Sequence, residues 1–454
     1  MSINKNLKKK KEKSQQGLKT SIKEGSASAA SAGFGDNFIA PFAVALKATP
    51  LQISFLSSLP NLLSPIAQSF GSRLIETRSR KNIVAKFVFF QALTWIPISI
   101  LAVLFMASLF QANLPYLLII SYTLLAVLGG ITAPAWFSWM GDIVPEEEKG
   151  KYFAKRNNIT GVIGLAAIFF GALLLEAFEK KGYVMFGFAV LFALACVTRL
   201  IAYRYFKKQF CPKLKLKKEY YFSFWDFVIK YRNFTKFSVY NAFLNLSTSI
   251  AGPFFALYML KDLGFSYITY IIIVLSGTIF TLLFTSLAGK FSDKYGNLKL
   301  IYIANILFII SIGLWIFIKS PAGIIFITQL VSGMAAAAWT ISITNFIYDT
   351  VTPQRRAICV AYTSILVGTG IFIGSLIGGI VLDYLHPSTS LINPFIFLFL
   401  VSLTFRFLAM IIFLPKIKEI KHFKTLPKIS LSFINPLRLV QAPFIWFRSV
   451  IIRK

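Results

Sequence analysis

A carboxylate halfway along an apolar helix has few roles open to it, and Asp36 is such a group. It lies in Gly33-Phe34-Gly35-Asp36-Asn37-Phe38-Ile39-Ala40-Pro41, inside a segment long enough to cross a bilayer. A charged side chain at that depth costs about 3 kcal/mol on insertion scales and marks function by default. Ser28, Ser31, Gly33 and Gly35 form a small polar face that could border a cavity. The chemistry would be binding of a proton or cation, or anchoring of a cationic or hydroxyl group on a solute. The plain alternative is a buried acid satisfied by neighbouring helices. Asn37 stands beside it. A matching polar stretch occurs near 241–249, with Asn241, Asn245, Ser247, Thr248 and Ser249. Pro41 and Pro253 each precede a Phe, and a proline inside a span kinks it and frees a carbonyl. Trp136 and Trp339 could stack on an aromatic or cationic ligand, with Asn345 nearby in sequence; packing is the competing role.

Other charged groups recur at a constant offset of 207 residues. Asp142, Lys149, Gly161, Gly171 and Arg199 have counterparts at Asp349, Arg356, Gly368, Gly378 and Arg406. That period is too long for a solenoid unit and reads as two similar halves in one chain. Arg199 and Arg406 lie about two turns from the ends of their helices, within reach of a snorkelling side chain, and pairing with Asp142 and Asp349 is expected.

The elements that must position these groups are apolar segments near 25–46, 50–72, 82–109, 115–140, 156–178 and 183–206. They resume near 237–260, 266–289, 298–318, 321–347, 357–383 and 392–414. About 20 helical residues cross a hydrocarbon core of about 30 Å. The expected fold is an all-α membrane protein with twelve transmembrane helices in two pseudo-symmetric six-helix bundles, 25–206 and 237–414. A basic tail (1–24), a basic linker (207–236) and a basic amphipathic tail (415–454) flank them. Hydrophobic residues make up 56% of the chain and charged residues 14%, yet the net charge is +31. A soluble domain that apolar would aggregate. Of the 48 Lys and Arg, only Lys47, Lys180, Lys181, Lys261 and Lys319 fall on one side, and Arg199 and Arg406 within helices. The remainder fall on the side of the two termini, which predicts both termini in the cytoplasm. Aromatics among cations in the linker and tails suit anionic lipid at the cytoplasmic surface better than nucleic acid.

The first 24 residues lack the apolar core of a cleavable signal peptide. Cys196, Cys211 and Cys359 have no metal-ligand spacing, histidine occurs only at His386 and His422, and no Gly-x4-Gly-Lys-Ser/Thr phosphate loop occurs. No cofactor, metal or enzymatic activity is expected.

The loop Gly289-Lys290-Phe291-Ser292-Asp293-Lys294-Tyr295-Gly296-Asn297-Leu298-Lys299 resembles the cytoplasmic signature of the major facilitator superfamily. Its first-half copy, Gly71 to Lys81, is degenerate: Glu76 stands one position late for the aspartate and Ser79 replaces the second glycine. Trp136 to Lys151 and Asn345 to Ala357 are similar to the same superfamily, each with an acid, a Pro turn and a basic helix start. The resemblance covers about residues 25–414. It implies two bundles around a central cavity and alternating-access transport. It also implies that Asp293 meets the start of the fifth helix (Lys149, Lys151) and Glu76 the start of the eleventh (Arg355, Arg356), as a gate that opens and closes; ordinary surface charge is the alternative. Two family patterns are missing: an Arg within the fourth helix, and a Gly-Pro signature in the fifth.

The resulting expectation is a monomeric secondary transporter of the cell membrane that moves a small solute. Proton or cation coupling would run through Asp36, and efflux is the favoured direction. An uncoupled facilitator or uptake carrier, or a transporter-like receptor or scaffold, are the alternatives. Gly33-Phe34-Gly35-Asp36 also matches the Gly-x-Gly-Asp pattern of aspartyl intramembrane proteases, but the only Tyr-Asp pair, Tyr348-Asp349, lies in the wrong order and at a helix end.

Overall fold

A computed structural model describes residues 2–145, 148–212, 224–230, 232–385 and 393–419. Much of the basic linker (213–223), both histidines and the C-terminal segment 420–454 lie outside the described residues. Every regular element described is helical.

The first half contains α1 (Ser2–Phe34), α2 (Ile39–Ala45), α3 (Pro50–Thr77), α4 (Arg80–Met106), α5 (Leu114–Ile143), α6 (Lys149–Glu179) and α7 (Val184–Lys208). A short α8 (Phe224–Lys230) precedes the second half. That half contains α9 (Arg232–Ala251), α10 (Phe255–Leu257), α11 (Tyr267–Tyr295), α12 (Asn297–Phe317), α13 (Pro321–Gly323), α14 (Gln329–Thr350), α15 (Pro353–Tyr384) and α16 (Pro394–Phe413). Among the described residues, ten helical stretches are long and apolar enough to cross a membrane. The broken first helix (α1 with α2) and the Ser-, Pro- and Asn-bearing α3 complete the twelve. The expected 25–46 span is the end of a longer helix: α1 runs from Ser2 into the membrane segment without interruption.

Local chemistry accounts for the ends. Thr49 and Gln52 form a reciprocal capping box at the start of α3, satisfying two orphan N–H groups. Ser79 caps α4 by accepting from the Asn82 N–H at 3.3 Å. Gly296 opens α12 at φ 101°, a turn favoured by glycine, in the place the loop signature reserves for one.

The chain packs as two compact units. The first comprises Met1–Glu219, Thr248–Ile272 and Ser364–Leu398; the second comprises Tyr220–Ser247, Ile273–Thr363 and Phe399–Lys454. In the first, α4 packs on α5 and α7, and α1 on α6 and α7. Its core includes Val84, Val88, Ala135, Trp139 and Phe206. In the second, α12 packs on α14 around Phe291, Leu300, Ala304 and Ala337.

The expected pairing of Arg199 with Asp142, and of Arg406 with Asp349, does not occur. Asp142 pairs with Arg80 at 2.7 Å. Arg80 also donates to the Ser138 carbonyl (2.8 Å), the Ser138 hydroxyl (3.0 Å) and the Pro212 carbonyl (2.9 Å). Asp349 accepts from Asn297 at 2.9 Å. Arg80 and Asn297 are the first residues of α4 and α12, so each half ties its fourth helix to the start of its third. The two guanidiniums have other partners: Arg199 donates to Ser28 and Gln91, and Arg406 to the Phe308 carbonyl.

Arg80 is 2% exposed and holds three carbonyl or hydroxyl groups as well as the carboxylate. Arg80→Ala is expected to cost about 3 kcal/mol, from lost bonds to a buried charge. Asp142 is 46% exposed, so Asp142→Asn should cost about 1 kcal/mol or less. Thermal unfolding of the two variants in detergent checks the order.

Candidate functional site

Asp36 sits at a break in the first helix. α1 stops at Phe34, a 3-10 turn spans Asp36–Phe38, and α2 begins at Ile39. Pro41 has no N–H to give the Asn37 carbonyl, so the α-helical ladder cannot run through. Instead the Phe38 N–H donates to the Gly35 carbonyl at 2.9 Å. The seventh helix breaks alike: α9 ends at Ala251, a 3-10 turn holds Gly252–Phe254 with Pro253 inside it, and α10 resumes at Phe255.

Both breaks are seated by the same contact. Phe38 and Phe254 are fully buried. A Cβ added to Gly171 on α6 would stand 2.8 Å from the Phe38 ring. One added to Gly378 on α15 would stand 2.6 Å from the Phe254 ring and 2.1 Å from the Ile250 carbonyl. These are the repeated glycines of the 207-residue offset. The pair Gly161 and Gly368 behaves differently: Gly161 faces open space, while a Cβ on Gly368 would stand 2.6 Å from the Asn61 carbonyl.

Two further contacts fix the Asp36 backbone. The Trp95 ring closes over Gly35, where a Cβ would be 2.3 Å away. Trp95 stacks on Phe192 at 5.8 Å, and Phe192 meets Phe42 at 5.0 Å. On the other side, Gly33 lets α1 approach Ala167 and the Gly164 carbonyl of α6. Gly25, Ala29 and Gly33 recur every fourth residue, the small-residue spacing that lets membrane helices pack closely.

The Asp36 side chain is nonetheless exposed, between buried Gly35 and Phe38. Among the described residues its carboxylate makes no hydrogen bond or ion pair. Arg199 and Tyr122 are close enough to act on it electrostatically. Asn37 turns back to the Ala32 carbonyl at 3.3 Å.

One face of α1 carries a second polar group that sequence reasoning placed in the tail. Glu24 is 1% exposed and pairs with Arg156 of α6 at 3.0 Å. Its carboxylate also accepts from Ser21 (3.2 Å) and from the Trp136 indole (3.2 Å), and Arg156 lies 4.7 Å over the Trp136 ring. A turn further on, Arg199 donates to the Ser28 hydroxyl at 2.8 Å and to Gln91, whose amide donates to the Leu125 carbonyl at 3.1 Å. Ser21, Glu24, Ser28 and Ser31 fall at helical spacing, which was the available signal. Trp136 is thus committed to Glu24 and Arg156 within the first unit.

In the second unit the expected residues bond among themselves. Asn245 donates to the Asn241 carbonyl (2.8 Å) and side chain (2.7 Å). Asn345 donates to Ser292 at 3.0 Å. Trp339 packs edge-on against Tyr240 and Phe308. Arg406 is 6% exposed and donates to the Phe308 carbonyl at 2.8 Å. Arg356 lies 4.2 Å over the Tyr348 ring. Glu76, Asp293, Lys151 and Arg355 are exposed, and Lys149 is half-buried at the start of α6. Thr248 lies on α9 within the first unit. Among the described residues no three His, Cys, Asp or Glu side chains stand together as a metal site.

The sequence model of the Major Facilitator Superfamily matches the chain twice, over residues 26–246 and 237–452. Among solved structures, a bacterial homologue of the iron transporter ferroportin in an inward-facing state superposes with a TM-score of 0.68 at 15% identity. The match covers 88% of this chain and 98% of that one. The nucleoside transporter NupG gives 0.62 at 16% identity over 88% and 98%. A bacterial homologue of the human lysosomal transporter Spinster, inward-facing and unoccupied, gives 0.61 at 14% over 90% and 98%. At these identities the likeness is one of fold. No curated protein sequence matches.

Seating Phe38 on Gly171 predicts a rescue. Gly171→Val should lower stability by about 1–3 kcal/mol through overpacking. Adding Phe38→Ala should recover part of that loss, although Phe38→Ala alone opens a cavity and costs about 3 kcal/mol. Thermal melts of the two single variants and the double variant test this coupling, and additive losses would disprove the seating.

Proposed function

We propose, because the chain belongs to the Major Facilitator Superfamily and is therefore a multi-pass membrane transporter of small solutes, that Asp36 is the group through which it binds its solute or a coupling cation. One observation carries this reading: a carboxylate on a rigidly seated helix break is exposed and makes no bond. Facing hydrocarbon, such a group would be costly. The space before it is therefore aqueous, or filled by a proton, a cation or a hydroxyl-bearing group. Among the described residues of the first unit, the buried acid Glu24 is already spent on Arg156. Asp36 is not.

The named neighbours are a nucleoside transporter and bacterial homologues of an iron transporter and of a lysosomal transporter, so the shared fold does not select a solute. The acid favours a cationic or hydroxyl-rich solute; Trp95 and Phe192 are buried behind the break and fix its backbone. The distribution of cations supports a cell-membrane carrier with both termini cytoplasmic. On this reading Glu76 and Asp293, with the basic residues at Lys149, Lys151, Arg355 and Arg356, serve the cytoplasmic gate.

A thermal-shift screen of the purified protein against metabolites and drugs, across pH, would supply a solute. In proteoliposomes, Asp36→Asn should then abolish accumulation against a gradient while counterflow persists, if Asp36 couples. If it binds the solute directly, affinity for a cation should fall about 10- to 100-fold, the worth of a hydrogen bond to a charged group. A variant that accumulates and binds as the parent does would refute the assignment.

A further inference from the structure

Away from Asp36, the junction of α3 and α4 forms an open groove of about 520 Å³. Its wall has two chemistries. Phe70, Leu74 and Phe87 make one side apolar, and Arg78, Asn82 and Lys86 make the other polar and cationic. Arg78 and Lys86 are exposed, and neither makes an ion pair among the described residues. The first turn of α4 opens beside them, adding the positive end of a helix dipole. Phe70 is 56% exposed, so the apolar side is open as well.

Depth narrows the occupant. α4 has 27 residues, about 40 Å at 1.5 Å per residue, against a hydrocarbon core of about 30 Å. Its first turns therefore stand at headgroup level. A groove there, cationic toward the loop and aromatic toward the helices, complements an anionic phospholipid: phosphate on Arg78 and Lys86, acyl chains along Phe70 and Phe87. A soluble anion would find no use for the aromatic side, and a zwitterionic lipid would leave the cations uncompensated.

We propose that the α3–α4 junction is a binding site for an anionic phospholipid, with Arg78 and Lys86 as its headgroup ligands. The site brings the degenerate loop Gly71 to Lys81 under the control of membrane composition. Bound lipid links the end of α3 to the start of α4, with Arg78 two residues from Arg80 of the Arg80–Asp142 pair.

The test uses the full chain, delipidated in a neutral detergent, with melting followed as lipid is titrated. Phosphatidylglycerol should raise the melting temperature saturably, while phosphatidylcholine with the same chains and inorganic phosphate should not. Arg78→Gln/Lys86→Gln should weaken the phosphatidylglycerol midpoint by at least about fivefold, since each phosphate contact is charge-assisted. Arg78→Lys/Lys86→Arg should retain it, which separates loss of charge from loss of fold. Lys207→Gln/Lys208→Gln removes the same charge from the exposed end of α7 and should leave the midpoint unchanged. Equal weakening in both Gln pairs would mean diffuse attraction to a basic protein and would overturn the site. An equal response to phosphatidylcholine or to inorganic phosphate would overturn the choice of ligand.

Discussion

A phenylalanine ring resting where a glycine leaves no side chain is the contact on which the candidate site depends. A helix broken at mid-membrane exposes backbone groups that hydrocarbon cannot satisfy. The break at Asp36 survives because its 3-10 turn bonds internally and because Phe38 is sunk into the space left by Gly171. Trp95 covers the opposite side over Gly35. With the backbone fixed from both sides, the Asp36 carboxylate projects from a rigid platform without needing a partner to orient it. Phe254 and Gly378 repeat the arrangement in the seventh helix, and there the turn carries Gly252 and Pro253 in place of an acid.

Charge within the first unit is distributed by the same economy. α1 has two working faces: Gly25, Ala29 and Gly33 let α6 approach, and Ser21, Glu24, Ser28 and Ser31 gather polar groups. Glu24 holds Arg156 and Trp136, and Arg199 is held by Ser28 and Gln91. Breaking any one of these strands a buried polar group, which is why such networks rigidify a bundle when complete. Arg406, the counterpart of Arg199, donates among the described residues to a single carbonyl, that of Phe308. The repeated position keeps the cation and changes its company.

Much of this was legible from residue types. The twelve helices followed from apolar length, and the two helix breaks from Pro41 and Pro253. The glycines at 171 and 378 stood out by their offset, but the rings they receive lie 133 and 124 residues away, a separation no local pattern encodes. Glu24 was hidden by its setting: an acid next to Lys23 in a polar tail reads as solvated until the helix is known to run unbroken from Ser2. The pairing of Asp142 failed for a related reason. Symmetry between Arg199 and Arg406 suggested a shared acid partner, whereas Asp142 is taken by Arg80 at the helix start and Arg199 by Ser28 and Gln91.

Repetition and departure from it therefore have different physical meanings in this chain. Where the halves agree, as at Gly171 and Gly378 or at Asp142 and Asp349, the shared part solves a problem any such bundle has: seating a broken helix, or tying a fourth helix to a third. Where they differ, one half has been released from that problem. Gly161 faces open space while Gly368 is pressed on a carbonyl. The first break carries an unbonded acid, and the second carries none. Both breaks are seated by a ring against a glycine, so neither needs a side-chain carboxylate to hold its backbone, and the acid at the first has no structural duty. That freedom is what the role proposed for Asp36 requires.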